Sequence, residues 1–309
     1  MAKRYAQNSI AESRLLLPIV AIYGVVVWLL SGVIESFLWP QFVMFVFSAF
    51  LITEIDNLNA IMRVYSRMTV GFFILFTLML NICHEWHFFY LQVCYLLFLF
   101  FFFSCYQRIS CQGTIFYAFL FLGLASIKFI HIIFLIPVLW VLMITKVQSV
   151  DWKNIWASIV AIIVPYIYYA AYLFYKNEPY NILVDHFKEL AYFDVNNIMN
   201  LSNTQWFTLG LMGIPFIISI IHINRYSYQD KIKTKMLMEA LMWVGLFLFA
   251  FILLYPQFYT QLIMLFLVSA SFFVAHLFLF THNIVSNISF FVYTGIILIT
   301  TLYNLWITL

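Results

Sequence analysis

From Phe88 to Ser104 the chain runs through seventeen consecutive uncharged residues, nine of them aromatic. A stretch of that character suits one solvent. A helix of about 20 apolar residues crosses a bilayer's hydrocarbon core. Within that core each backbone N–H must find its partner inside the protein, which a helix achieves alone. Breaking the whole chain at its polar and charged clusters predicts spans at 15–34, 41–53, 69–83, 88–104, 113–126, 129–146, 154–175, 205–222, 236–254, 258–280 and 286–306. The runs are continuous rather than alternating at every second residue, which argues against a transmembrane β-barrel. The expected class is all-α: a polytopic transmembrane helix bundle of about 11 spans, one integral membrane domain over 1–309. The pair 113–126 and 129–146 is separated only by Ser126, Ile127 and Lys128. Two spans, or one broken or re-entrant hairpin, both remain open there.

Composition supports the same class. Hydrophobic residues make up 65% of the chain and charged residues 9%, where soluble domains carry roughly 25% charged. So little polar surface cannot cover a water-soluble fold. The net charge of +3 gives no reason to expect a nucleic-acid partner. Cys83, Cys94, Cys105 and Cys111 form no C-x-x-C pair, so they read as small apolar residues rather than as zinc or redox ligands. No cofactor is expected.

Lys and Arg set the orientation, because they concentrate on the cytoplasmic side. With a cytoplasmic N-terminus, and MAKRYAQNSIAESR read as a retained tail, twelve of the fifteen basic residues fall inside. Only Lys128, Lys176 and Lys188 fall outside. The longest polar segment, 176–204, then lies on the outer face. Its apolar residues Ile182, Leu183, Phe187, Leu190 and Phe193 keep near-helical spacing opposite Asp185, Lys188 and Glu189, which predicts a short interfacial helix near 182–193.

Chemistry-bearing residues are scarce. NICHEWHFF, residues 81–89, crowds Cys83, His84, Glu85 and His87 together. The zincin pattern H-E-x-x-H puts two imidazoles four apart on one helical face; here His84 and His87 are three apart. A metal would need a third ligand, for which His131 is the intramembrane candidate. His84, His87 and His131 are therefore weak metal candidates, set against an acid/base role and against a plain polar cap between helices. Glu35, Glu85 and His87 are the candidate catalytic residues, and Lys128, Asp185 and His186 the candidate substrate contacts beside them, since ionisable groups at the membrane edge of so uncharged a chain warrant a functional reading. On the inner face Arg63 and Arg67, four apart in TEIDNLNAIMRVYSRM, are candidates for clamping a phosphate. The positive-inside bias alone also accounts for them. Pro137, Pro165 and Pro215 fall inside spans, where they kink helices.

The short basic start, "EIDNLNAIMRVYSRM" after the second span and the "FLGLASIKFIHIIFLIPVLWVLM" hairpin resemble a family of bacterial polytopic inner-membrane proteins of about this length. More distantly, the order of elements is similar to the GT-C class of membrane glycosyltransferases and lipid-linked-sugar polymerases. In that class an acidic catalytic residue stands in the first outer loop, matched here by Glu35 in "GVIESFLWP", and an interfacial helix lies in a larger outer loop, matched by 182–193. The resemblance implies a role in envelope biogenesis at the bacterial inner membrane: transfer or polymerisation of a sugar from a polyprenyl-phosphate carrier at the outer face. Glu35 or Glu85 would be the general base and Lys128 would offset the leaving phosphate. The implied partners are membrane lipids and the polyprenyl-phosphate-linked substrate. A non-catalytic subunit that binds other membrane subunits of an assembly or secretion complex, and a transporter, are the alternatives.

Overall fold

The structure, a computed structural model, describes residues 5–34, 36–80, 85–149, 151–179, 181–191, 198–226 and 231–308. Among these the chain forms thirteen α-helices and no strand. Eight helical segments are long and apolar enough to cross a membrane: Trp39–Asn59, Trp86–Ser104, Ile130–Val147, Trp152–Tyr175, Asn203–Arg225, Ile232–Leu254, Pro256–Phe280 and Ile284–Ile307. Three shorter apolar helices, Leu16–Leu30, Met68–Met79 and Gln112–Lys128, accompany them. The chain is a multi-pass membrane protein. Each predicted span falls on one of these eleven helical segments.

The bundle is built around α12 (Tyr259–Phe280). In the Pro256–Phe280 segment 94% of the most apolar stretch is buried inside the protein. Every residue of the short α4 (Met68–Met79) is buried as well. Packing around α12 stand α4, α5 (Trp86–Ser104), α10 (Asn203–Tyr226) and α11 (Ile232–Leu254). In lipid, packing and close backbone approach hold helices together, because hydrocarbon offers no hydrophobic drive between them. Small residues mark the closest approaches. A Cβ on Gly123 of α6 (Gln112–Lys128) would meet Pro165 Cγ at 3.0 Å and the Ile162 carbonyl oxygen at 3.1 Å, both on α8 (Trp152–Tyr175). At the periphery the picture reverses: only 22% of the corresponding stretch is buried in α8 and in α13 (Ile284–Thr308). Their exposed Ile, Trp and Tyr side chains suit a lipid boundary.

Residues 113–146 form two antiparallel helical segments. α6 starts beside Asn154, whose Nδ2 donates to the Ile109 carbonyl at 3.0 Å, and ends at Lys128. The chain then turns at Phe129 and runs back as a 3-10 turn (Ile130–Phe134), α7 (Leu135–Leu142) and a π-helical turn (Met143–Val147). The return is complete: the Val147 carbonyl accepts from the Gln107 N–H at 2.8 Å, and Lys146 pairs with Glu239 of α11. Pro165 and Pro215 lie inside α8 and α10, and Pro137 sits in the first turn of α7.

The loops segregate into two ends. At one end gather Arg14, Arg63, Arg67, Arg108, Lys146, Lys153, Arg225, Lys231, Lys233 and Lys235; at the other stand Lys128, Lys176 and Lys188. Tertiary bonds tie the basic end together. The Thr234 hydroxyl of α11 donates to the Ala60 carbonyl at 3.0 Å. The Ser66 hydroxyl donates to Ala11 of α1 (Ala6–Ala11) at 2.6 Å, and α1 docks on the α12–α13 turn through Gln7 N–H to Asn287 Oδ1, 3.0 Å.

Candidate functional site

At the end opposite the basic loops, α5 begins with Glu85 as its extended N-cap. Trp86 and His87 follow in its first turn, with ring centroids 3.9 Å apart. Glu85, Trp86 and His87 are all exposed. Lys128, the last residue of α6, places its Nζ 5.3 Å from the centre of the Trp86 ring, within reach of a cation–π attraction. One turn further along α5, the Tyr90 hydroxyl donates to the Leu124 carbonyl of α6 at 3.0 Å. That bond fixes the register of α5 on α6 and so brings the ammonium of Lys128 beside the carboxylate-bearing start of α5.

Where a helix is predicted near 182–193, α9 (Asn181–Lys188) forms, two α-helical turns followed by a 3-10 turn from Glu189 to Ala191. Residues 192–197 of the segment lie outside the described residues. α9 is anchored through its own sequence: His186 Nε2 lies 3.0 Å from the Ser126 carbonyl, and Phe187 stacks on Tyr166 of α8 at 5.0 Å. Tyr166 in turn donates to the Ser126 hydroxyl at 2.8 Å. Asp185 points elsewhere, into a 2.7 Å ion pair with Lys188. On its other side His186 Nδ1 stands 3.9 Å from the Glu189 carboxylate.

The predicted residues therefore divide. Glu85 and His87 flank in sequence the Trp86 ring that Lys128 approaches, and His186 is held on the Ser126 carbonyl, two residues before Lys128 in the last turn of α6. Asp185 and Lys188 satisfy one another at the exposed face of α9. Arg63 and Arg67 occupy the opposite end and do not form a clamp. Residues 53–59 complete α3 (Trp39–Asn59), and the chain leaves the helix at Ala60, whose φ of 48° is left-handed. Beyond it Arg63 lies over the Phe280 ring at 4.3 Å and Arg67 over Tyr65 at 4.7 Å. Glu35 and His84 lie outside the described residues. Among the described residues no three His, Cys, Asp or Glu side chains converge as a metal site; His131 is buried and packs its ring on Phe258 at 4.1 Å. Cys105 is buried too, and burial pushes its thiol up to about 12, so it is chemically quiet.

Sequence reasoning missed the anchors Ser126 and Tyr166. It also missed an open cavity of about 800 Å³ at this same end, bordered by α4, α10, α12 and α13. Among its walls are Gln205, Thr208, Tyr259, Thr260, Tyr303 and Asn304. The signal was present as three short polar runs, NTQWFT at 203–208, YTQ at 259–261 and TTLYN at 300–304, each at a span end. Only the packing shows that they meet. A second groove, about 530 Å³ and lined by apolar side chains of α2 (Leu16–Leu30), α4 and α13, lies nearer the basic end. Comparison with family models, curated proteins and solved structures finds no match to this chain.

Proposed function

We propose that this chain is an enzyme of a bacterial inner membrane, transferring or polymerising a glycosyl group from a polyprenyl-phosphate-linked donor at the end opposite the basic loops. That end would then be the outer face, as the positive-inside bias expects. The supporting observation is the seat of Lys128 over Trp86. It sets the ammonium of α6 against the ring of Trp86, whose chain neighbours are the exposed Glu85 and His87. Glycosyl transfer to a hydroxyl needs a carboxylate to take the acceptor proton, which is the role of Glu85, with Glu35 the second candidate. It also needs positive charge beside the departing phosphate, which is the role of Lys128. His87, two residues from Glu85 at the start of α5, would hold or relay the proton.

The test is glycan production in cells carrying Glu85→Gln, His87→Ala, Lys128→Met or Glu35→Gln at unchanged protein abundance. Loss of product in Glu85→Gln or Glu35→Gln supports the reading. Wild-type product from the double Glu35→Gln/Glu85→Gln variant ends it.

A second reading, a non-catalytic subunit of an envelope assembly, is favoured by α8, which exposes Trp152, Trp156, Tyr168 and Tyr172. Partners retained on gentle extraction and lost on Trp156→Ala would support it. Transport is less well supported: ion coupling uses acidic groups in mid-membrane, whereas the described Asp and Glu residues lie toward the ends of their helices.

A further inference from the structure

The cavity between α4, α10, α12 and α13 has a composition that contrasts with the rest of the chain. Nine of its fourteen lining residues carry a side-chain hydroxyl or amide, and none is Asp, Glu, Lys, Arg or His. Its volume of about 800 Å³ lies in the range of small-molecule sites, roughly 300–1,000 Å³. Six of the nine already have a side-chain hydrogen bond: Thr204, Gln205 and Thr300 locally, and three more as braces of the wall. Thr208 and Tyr259 bond hydroxyl to hydroxyl across α10 and α12, and Asn304 Nδ2 donates to the Met79 carbonyl at 2.7 Å, tying α13 to α4. Other groups are left available. Thr260 and Tyr303 line the cavity, and no hydrogen bond from either hydroxyl is made to a described residue.

Half-buried Thr260 and exposed Tyr303 present their hydroxyls to whatever occupies the cavity. The complement of uncharged donors and acceptors is a ligand with the same inventory. A phosphate or carboxylate would call for Arg or Lys in the wall. An acyl chain alone would leave the Thr260 and Tyr303 hydroxyls without partners, whereas the other groove, walled almost wholly by apolar side chains, suits one. Aromatic and aliphatic side chains complete the rim: Phe207, Tyr303 and Ile307 are exposed there, giving flat apolar surface for the C–H faces of a ring. The polar walls come from the first turns of α10 and α12 and the last turns of α13, the depth at which a lipid's headgroup meets the hydrocarbon. The rim's apolar side chains face the same boundary.

We infer that this cavity binds an uncharged glycosyl group, carried by a membrane lipid. The inference stands on the lining alone and does not depend on glycosyl transfer at Glu85.

The experiment uses the full chain, extracted in a zwitterionic detergent free of sugar and reconstituted into phosphatidylcholine nanodiscs. The discs contain glucosyl-diacylglycerol, diacylglycerol or phosphatidylglycerol at equal fraction, and retained lipid is read by native mass spectrometry. Binding of free maltose is measured in parallel. The expected result is retention of the glucosyl lipid about tenfold above the other two, the effect of a few well-placed hydrogen bonds. Thr260→Val/Tyr303→Phe should abolish that preference, Tyr303→Phe alone should weaken it, and Thr294→Val in the apolar groove should leave it intact. Maltose binding that is lost in the same variants would support the sugar chemistry and name a soluble glycan as its source. Equal retention of all three lipids without maltose binding overturns the inference. So does stronger retention of phosphatidylglycerol, or a glucosyl preference that survives in Thr260→Val/Tyr303→Phe while that variant's thermal unfolding matches wild type. Wild-type glycan product from the Glu35→Gln/Glu85→Gln variant, with the glucosyl-lipid preference intact, would fault the catalytic reading alone.

Discussion

The two ends of this bundle solve the same problem in opposite ways. At the basic end, polar groups from distant segments satisfy each other. Asp56, in the last turn of α3, is buried; one carboxylate oxygen accepts the Met62 N–H at 3.0 Å and the other the Thr69 hydroxyl at 3.2 Å. Asn154 reaches the Ile109 and Ser149 carbonyls, Gln7 the α12–α13 turn, and Lys146 Glu239. At the other end Glu85 and His87 are exposed, Lys128 rests on a ring, and a cavity is lined by hydroxyls and amides. Polar residues in the first region close loops over the ends of helices. In the second, beside braces such as Tyr166–Ser126 and Asn304–Met79, several stay accessible, which is what a binding or reacting surface requires. A count of polar residues per loop would not distinguish the two; the partners of each residue do.

That contrast is open to direct attack through stability measured by unfolding in mixed micelles. Asp56→Ala should have the largest effect, a loss of about 2–4 kcal/mol, because it leaves the Met62 N–H and the Thr69 hydroxyl without an acceptor in a buried site. Gly123→Val should follow at about 1–3 kcal/mol, since its side chain would press on the backbone of Ile162 and part α6 from α8. Glu239→Met should lose on the order of 1–2 kcal/mol by stranding Lys146, and Lys146→Met/Glu239→Met should recover most of the loss. At the other end Asp185→Asn should cost less than about 0.5 kcal/mol, because its ion pair with Lys188 is exposed and screened by solvent. If Asp185→Asn proves as costly as Asp56→Ala, the division between a braced end and an accessible end fails.

Much of this was readable before any coordinates. Unbroken runs such as 88–104 and 258–280 map onto α5 and α12 because an uninterrupted apolar helix satisfies its own backbone wherever it packs. The short helix α9 was foreshadowed by the spacing of Ile182 and Phe187, since a surface helix keeps its apolar side to one face. The site was far less legible. His186 looked like part of an acidic outer cluster, yet its partner is a backbone carbonyl, Ser126, which no residue pattern announces. Arg63 and Arg67 looked like a helical pair, but the left-handed turn at Ala60 ends the helix before them and sends the guanidiniums to different rings. Neither Thr260 nor Tyr303 stood out, as single hydroxyl residues near helix ends are ordinary in any membrane protein.

The sequence by itself determined the class of molecule and the separation of its two ends. Charge and backbone polarity are penalised in hydrocarbon segment by segment, so each span and each loop declares itself locally. Tertiary packing alone decided which polar groups face one another. Met79, Gln205, Thr260 and Asn304 come from four helices spread over more than two hundred residues, and they wall one cavity only because α4, α10 and α13 all pack around α12.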